Sequence, residues 1–167
     1  MTADALSALS AIAGARLKAA GERLVTAESC TGGWVGQAIT AVAGSSDWFD
    51  RGFVTYSNAA KEEMLGVRPE TLARHGAVSE EVAREMAVGA LARSRGTVSV
   101  SITGVAGPGG GTAAKPVGLV CFGWARGGSV RTETRRFDGD RDGIRRQAVL
   151  RALQGVLECL DEGPARA

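Results

Sequence analysis

One histidine, one tyrosine and three cysteines in 167 residues leave little material for several common chemistries. With His75 alone, a Ser-His-Asp triad has a single imidazole to draw on. A catalytic zinc, which usually takes more than one, is not expected, and neither is any other metal or cofactor. Cys30, Cys121 and Cys159 are odd in number and lack CxxC or CxxH spacing, which argues against a disulfide framework or a structural zinc and points to a reducing cytoplasm. No apolar run approaches the length of a membrane span, and Met1 to Gly21 lacks the pattern of a signal peptide. An excess of one charge is missing too: 20 Lys and Arg stand against 18 Asp and Glu, a formal net charge of +2. That is too small a basic footprint for coating nucleic acid, although it leaves room for a local basic pocket around one small anion.

What is present suits a folded domain. Hydrophobic residues make up 44% and charged residues 23%, enough for a core and against disorder. The length fits one domain spanning 1–167, with a frayed tail expected over 162–167. Leu6, Leu9, Ile12, Ala13 and Leu17 recur at helical spacing up to Gly21. A strand follows at Leu24 to Ala27, then a glycine-bearing turn and a helix carrying Trp34, Val35, Ala38, Ile39 and Val42. Ser45 to Phe49 reads as a short capped turn of helix and Gly52 to Tyr56 as a strand. Ser57, Pro69 and Ser79 each open a helix, the last with acids in its first turn. Thr97 to Thr103 alternates as a strand, and Gly104 to Thr112 is a loop. Val117 to Ala125 and Val130 to Phe137 form a hairpin across Arg126-Gly127-Gly128, before a final helix with Ile144, Val149, Leu153 and Leu160. Trp48, Phe49 and Phe53 are expected in the core. The order predicts an α/β fold, a single three-layer domain with a mixed sheet flanked by helices.

Four segments could carry chemistry. Glu28-Ser29-Cys30-Thr31-Gly32-Gly33 puts a serine where a strand enters a helix, so outward N–H groups there could hold a phosphate or an oxyanion. A plain capping role for Ser29 or Thr31 is the commoner use of such residues. Ser46, Tyr56 and Lys61 offer a second group, because a lysine with a lowered pKa can take a serine's proton. Beside Glu62 and Glu63, however, Lys61 could equally be a surface residue. The Gly104 to Thr112 loop with Lys115 lets backbone approach a ligand, yet matches neither a Walker A loop nor a dinucleotide fingerprint. Arg141 and Arg145, one helical turn apart, make a guanidinium face suited to phosphate or carboxylate, or simply to solvent. His75 reads as a capping or surface residue.

Taken together, Thr26 to Gly33, Gly44-Ser45-Ser46, Thr55 to Asn58 with Lys61, Gly76 to Ser79, Thr103 to Pro108, Lys115 to Gly118 and Gly139-Asp140-Arg141 resemble successive blocks of one family. That family is the CinA C-terminal domain, the PncC-type nicotinamide mononucleotide deamidases, and the likeness runs from Leu6 to Leu160. The resemblance implies hydrolysis of the carboxamide of nicotinamide mononucleotide to nicotinic acid mononucleotide and ammonia, without metal, by a Ser/Lys amidohydrolase. It places the family's lysine on Lys61, its tyrosine on Tyr56 and two serines on Ser29 and Ser46. Ser29 is the favoured nucleophile because its turn supplies oxyanion donors, with Ser46 as relay or substrate contact; the reverse assignment stays open. Substrate contacts are expected from Glu28, Cys30, Thr31, Gly32, Gly33, Thr103, Gly104, Gly107, Arg141 and Arg145. Many relatives carry this domain behind a larger one resembling molybdopterin-binding proteins, and this chain looks like the free-standing form. The partners expected are the small-molecule substrate and further copies of the chain, with no nucleic acid and no membrane. The alternative is a nucleotide-binding or regulatory module of a competence or damage response, without turnover.

Overall fold

The structure is a computed structural model that describes residues 2–162, with side chains from Ala5 onward. Six helices and five strands follow in the order α1 (Thr2–Ala20), β1 (Leu24–Glu28), α2 (Trp34–Thr40), β2 (Phe49–Val54), α3 (Asn58–Leu65), α4 (Pro69–His75), α5 (Glu80–Ala92), β3 (Val98–Gly104), β4 (Leu119–Arg126), β5 (Ser129–Arg136) and α6 (Arg141–Asp161). The sheet order is β2-β1-β3-β4-β5. β1 runs parallel to both β2 and β3, and β3, β4 and β5 are antiparallel neighbours. The sheet is therefore mixed, as expected from early strands separated by helices and late strands joined by a hairpin.

Helices cover both faces. Leu17 of α1, Ile39 of α2 and Leu153 and Val156 of α6 pack with Val98, Val100 and Ile102 of β3 on one face. On the other, Leu65, Leu72, Val82 and Met86 from α3, α4 and α5 pack with Val25 and Ala27 of β1. Strand alternation explains the split, because successive side chains of β1 leave opposite faces. β3 meets α5 through hydroxyls: Ser99 Oγ and Ser101 Oγ donate to the carbonyls of Ala87 and Ala83 at 2.8 and 2.6 Å. Trp48 is buried, and Phe49 and Phe53 pack against the two cores. No helix among the described residues is long and apolar enough to cross a membrane.

Several boundaries differ from expectation. The helical turn ends at Asp47, and Phe49, read as part of it, opens β2, which stops at Val54 and not at Tyr56. The register slips between Leu24 and Val25, so Asp50 is an extra residue at the start of an edge strand. A bulge with Asp50-Arg51 at an exposed edge erases the alternation that announces a strand. β4 begins at Leu119 because Gly118, at φ 95°, turns the chain between Val105 and Phe137. Of the tail expected to fray, Glu162 ends α6 and 163–167 lie outside the described residues.

Candidate active site

The parallel strands β2, β1 and β3 all end at one edge of the sheet, the usual place for a ligand in an α/β domain. Past Glu28 the chain turns sharply into α2. The Ser29 N–H still donates to Ile102 O at 2.9 Å, and its carbonyl accepts from Gly32 N at 3.0 Å. Gly32 and Gly33, at φ 59° and 100°, adopt the left-handed backbone the reversal requires.

Glu28 braces this turn. One carboxylate oxygen accepts from Thr31 Oγ1, Gly33 N and Val35 N at 2.7, 3.2 and 3.0 Å, and the other from Gly36 N at 3.0 Å. Those bonds make Glu28 a buried cap for the start of α2, reached from the strand before it. Of the stretch from Cys30 to Gly33, the amides of Gly32 and Gly33 are consumed by Ser29 and Glu28. Those of Cys30 and Thr31 donate to no other described residue.

Lys61 arrives from the next helix. Ser57 caps α3 by accepting from Ala60 N at 3.0 Å, which sets Lys61 one turn in, over the end of β1. Its side chain is 1% exposed. The amine donates to Ser29 Oγ at 2.9 Å and to the carbonyl of Thr55 at 2.9 Å. Burial holds its pKa below the usual lysine range, and only the neighbouring Cys30 pulls the other way. The Cys30 thiol is pushed up to about 11 by burial, so it stays protonated and a poor nucleophile near neutrality.

These groups line a cavity of about 240 Å³ that also takes in Tyr56, Asn58, Ala77, Val78, Thr103, Gly104, Ala106 and Arg141. Thr103 Oγ1 donates to Ala77 O at 2.9 Å. Arg141 crosses the cavity wall, donating to Gly107 O at 2.7 Å and to the Tyr56 hydroxyl at 3.1 Å.

The structure thus brings Ser29, Cys30, Tyr56, Lys61, Thr103, Gly104 and Arg141 together. It does not bring Ser46 to them. Ser46 is exposed in the turn before β2, and its carbonyl accepts from Arg23, which precedes β1, at 3.2 Å. That is the amino end of the parallel strands, the far edge of the sheet from Ser29. Glu28, Thr31, Gly32, Gly33, Gly107 and Arg145, expected to touch substrate, do not line the cavity. Arg145 faces the back of the Ser29 turn, donating to Cys30 O at 3.0 Å and Thr31 O at 3.1 Å. Lys115 is tied to the His75 carbonyl and borders a neighbouring cleft. The Thr55 carbonyl escaped the sequence because main-chain atoms carry no residue-type signal. Asn58, Ala77 and Val78 lie in family-like segments but have no chemistry of their own to single them out.

The profile of the CinA C-terminal domain matches residues 6–160. The chain belongs to the CinA C-terminal domain family. Among its relatives, an Escherichia coli (strain K12) protein named nicotinamide-nucleotide amidohydrolase PncC is 58% identical over 160 residues, covering 95% of this chain and 96% of that protein. A Pseudomonas putida protein of the same name is 48% identical, covering 93% and 97%. The crystal structure of the competence/damage inducible protein CihA from Agrobacterium tumefaciens superposes with a TM-score of 0.89 at 48% identity, covering 94% of this chain and 96% of that one. CinA-domain relatives thus share this fold across nearly the full chain.

Proposed function

We propose that this chain is a nicotinamide-nucleotide amidohydrolase that deamidates nicotinamide mononucleotide, with Ser29 as nucleophile and Lys61 as its base. The observation that carries the mechanism is the buried Lys61 amine 2.9 Å from the Ser29 hydroxyl. The substrate comes from the relatives named for it.

Serine attacks an amide only when something removes its proton. Once the Lys61 ammonium loses a proton, the Thr55 carbonyl retains one N–H and the amine lone pair turns to the Ser29 O–H. Lys61 then takes the hydroxyl proton as Ser29 Oγ bonds to the carboxamide carbon. The oxygen of the tetrahedral intermediate meets the main-chain N–H of Cys30, which lines the cavity beside Ser29. Lys61 returns its proton to the departing nitrogen, ammonia leaves, and an acyl-serine remains. Water, giving its proton to Lys61, hydrolyses that ester and restores Ser29. We assign the substrate phosphate to Arg141, which borders the cavity beside Tyr56.

The test is ammonia release from nicotinamide mononucleotide by the purified chain, with the Ser29→Ala variant as control. Ammonia from the parent and none from the variant is the expected result. Binding of the nucleotide without ammonia by the parent would leave a non-catalytic module instead.

A further inference from the structure

The side of the Ser29 turn away from the cavity is held by a cation. Arg145 reaches from α6 to donate to Cys30 O through Nε at 3.0 Å and to Thr31 O through Nη2 at 3.1 Å. Its guanidinium lies over the Trp34 ring, 5.4 Å from its centre. Arg145 does not border the cavity, so its sequence-based assignment to the substrate phosphate has no geometry behind it.

Peptide geometry turns that contact into a statement about the other side. Among the described residues only Gly107-Pro108 is cis. In a trans peptide the C=O and N–H point in opposite directions. Pulling Cys30 O toward Arg145 therefore turns the Thr31 N–H away from it, into the buried interior of the turn, since Thr31 is fully buried and does not line the cavity. The next peptide checks this reasoning. Thr31 O also faces Arg145, and the paired Gly32 N–H does point to the Ser29 side, where it bonds Ser29 O at 3.0 Å.

We infer that Arg145 is a positioning residue that fixes the Cys30–Thr31 and Thr31–Gly32 peptides and, through the Gly32 N–H bond to Ser29 O, holds Ser29 toward Lys61 and the group it attacks. The inference rests on the Ser29–Lys61 reading above. A carbonyl bonded to a cation also polarises the N–H across its peptide, which strengthens the Gly32 N–H bond to Ser29 O. Arg145's field reaches this spot: among the neighbours opposing the effect of burial on the Cys30 thiol, it acts most strongly. Lysine could not replace it, because one ammonium does not span two carbonyls as a planar fork does.

The experiment measures Arg145→Ala and Arg145→Lys with two substrates, nicotinamide mononucleotide and p-nitrophenyl acetate. The ester has no phosphate; Ser29 Oγ acylates on its carbonyl carbon, Lys61 takes the proton, and p-nitrophenolate leaves. The expected result is a kcat loss of roughly 10²-fold on the nucleotide, the cost of misplacing a catalytic group by about an ångström, with KM little changed. Acylation by the ester slows by a similar factor in both variants, and guanidinium ion added to Arg145→Ala restores part of the rate. A raised KM for the nucleotide with unchanged ester acylation would overturn the inference and return Arg145 to phosphate binding. Should the parent acylate with the ester but release no ammonia from the nucleotide, the substrate assignment falls while the ester still decides the role of Arg145. A parent inert to both would remove the nucleophile and this inference with it. Arg145→Lys, which keeps charge and stem, covers the case in which alanine does not fold.

Discussion

Lys61 Nζ lies 2.9 Å from Ser29 Oγ, and its other bond goes to the main-chain oxygen of Thr55, not to a carboxylate. A buried lysine kept only for structure would be expected to find an acid, because an unpaired ammonium is costly to desolvate. The arrangement instead favours an amine that is easily deprotonated and already in reach of a hydroxyl. Ser29→Ala and Lys61→Met should each lower kcat for ammonia release by at least ~10³-fold, in line with the loss of a nucleophile or its base. Circular dichroism should show both variants folded. Residual turnover above a tenth of the parent's in either variant would remove that residue from the chemistry.

The activity should also carry the titration of Lys61. Burial lowers its pKa, so the neutral, reactive form gains population at lower pH than for a lysine in water, where the value is about 10.4. The profile of kcat/KM against pH is expected to rise along a limb centred below that value, because the free enzyme's base must be unprotonated to act. A profile that is flat or falls across the range from neutral to mildly alkaline would exclude an amine base.

The same depressed pKa has a stability consequence of definite sign. Between the native pKa of Lys61 and its higher unfolded value, the unfolded chain binds more protons, so stability rises with pH in that window. Below the native pKa the amine is charged in both states and its burial penalty is fully present. Lys61→Met removes the penalty at the expense of leaving the Thr55 carbonyl without its donor. At neutral pH the variant should therefore be at least as stable as the parent in urea, and in alkaline solution the parent should gain on it. A parent that is more stable by the same margin at both pH values would contradict a destabilised buried amine.

Much of this arrangement is legible in the sequence, and the exceptions have one source. The strand, the two glycines and the helix after Ser29 follow from local rules, as does the Ser57 cap that places Lys61. The choice between Ser29 and Ser46 does not, because both sit beside small residues and next to a strand. Pairing separates them: β1 and β2 are parallel, Ser29 follows the first and Ser46 precedes the second, so they fall at opposite ends. With β2 read as starting at Gly52, three residues after the true start at Phe49, that geometry stays hidden. Arg141 and Arg145 show the same limit. Helical spacing puts them on one face, but only the fold sends the first to the cavity and the second to the back of the turn.

Glu28 links stability to the site. Its two oxygens satisfy three buried or half-buried amides and the Thr31 hydroxyl. Glu28→Ala leaves those donors unpaired and should cost roughly 3 kcal/mol or more, since each orphaned buried group costs about 1–3 kcal/mol. Glu28→Gln keeps one acceptor but turns an NH₂ toward an amide donor, so an intermediate loss is expected. Both should slow ammonia release, because Ser29 and the Cys30 amide are fixed by the same turn. Urea unfolding reads the first effect. A Glu28→Ala variant within about 0.5 kcal/mol of the parent, the range of an ordinary surface change, would dismiss the cap.

Arg141 separates binding from chemistry. Its guanidinium bonds the Gly107 carbonyl and the Tyr56 hydroxyl and reaches neither Ser29 nor Lys61 by any bond, so its removal leaves the reacting pair untouched. A charge-assisted bond to a phosphate contributes about 1.5–3 kcal/mol, which corresponds to roughly 10- to 100-fold in affinity. Arg141→Ala should raise KM for nicotinamide mononucleotide by about that factor while lowering kcat much less, the signature of binding shared by ground state and transition state. Tyr56→Phe, which loosens Arg141 without removing its charge, should raise KM by a smaller factor. Steady-state kinetics on nicotinamide mononucleotide and on phosphate-free nicotinamide riboside decide the matter. If Arg141→Ala weakens both substrates equally, the arginine does not read the phosphate, and the anion must be sought elsewhere along the cavity wall.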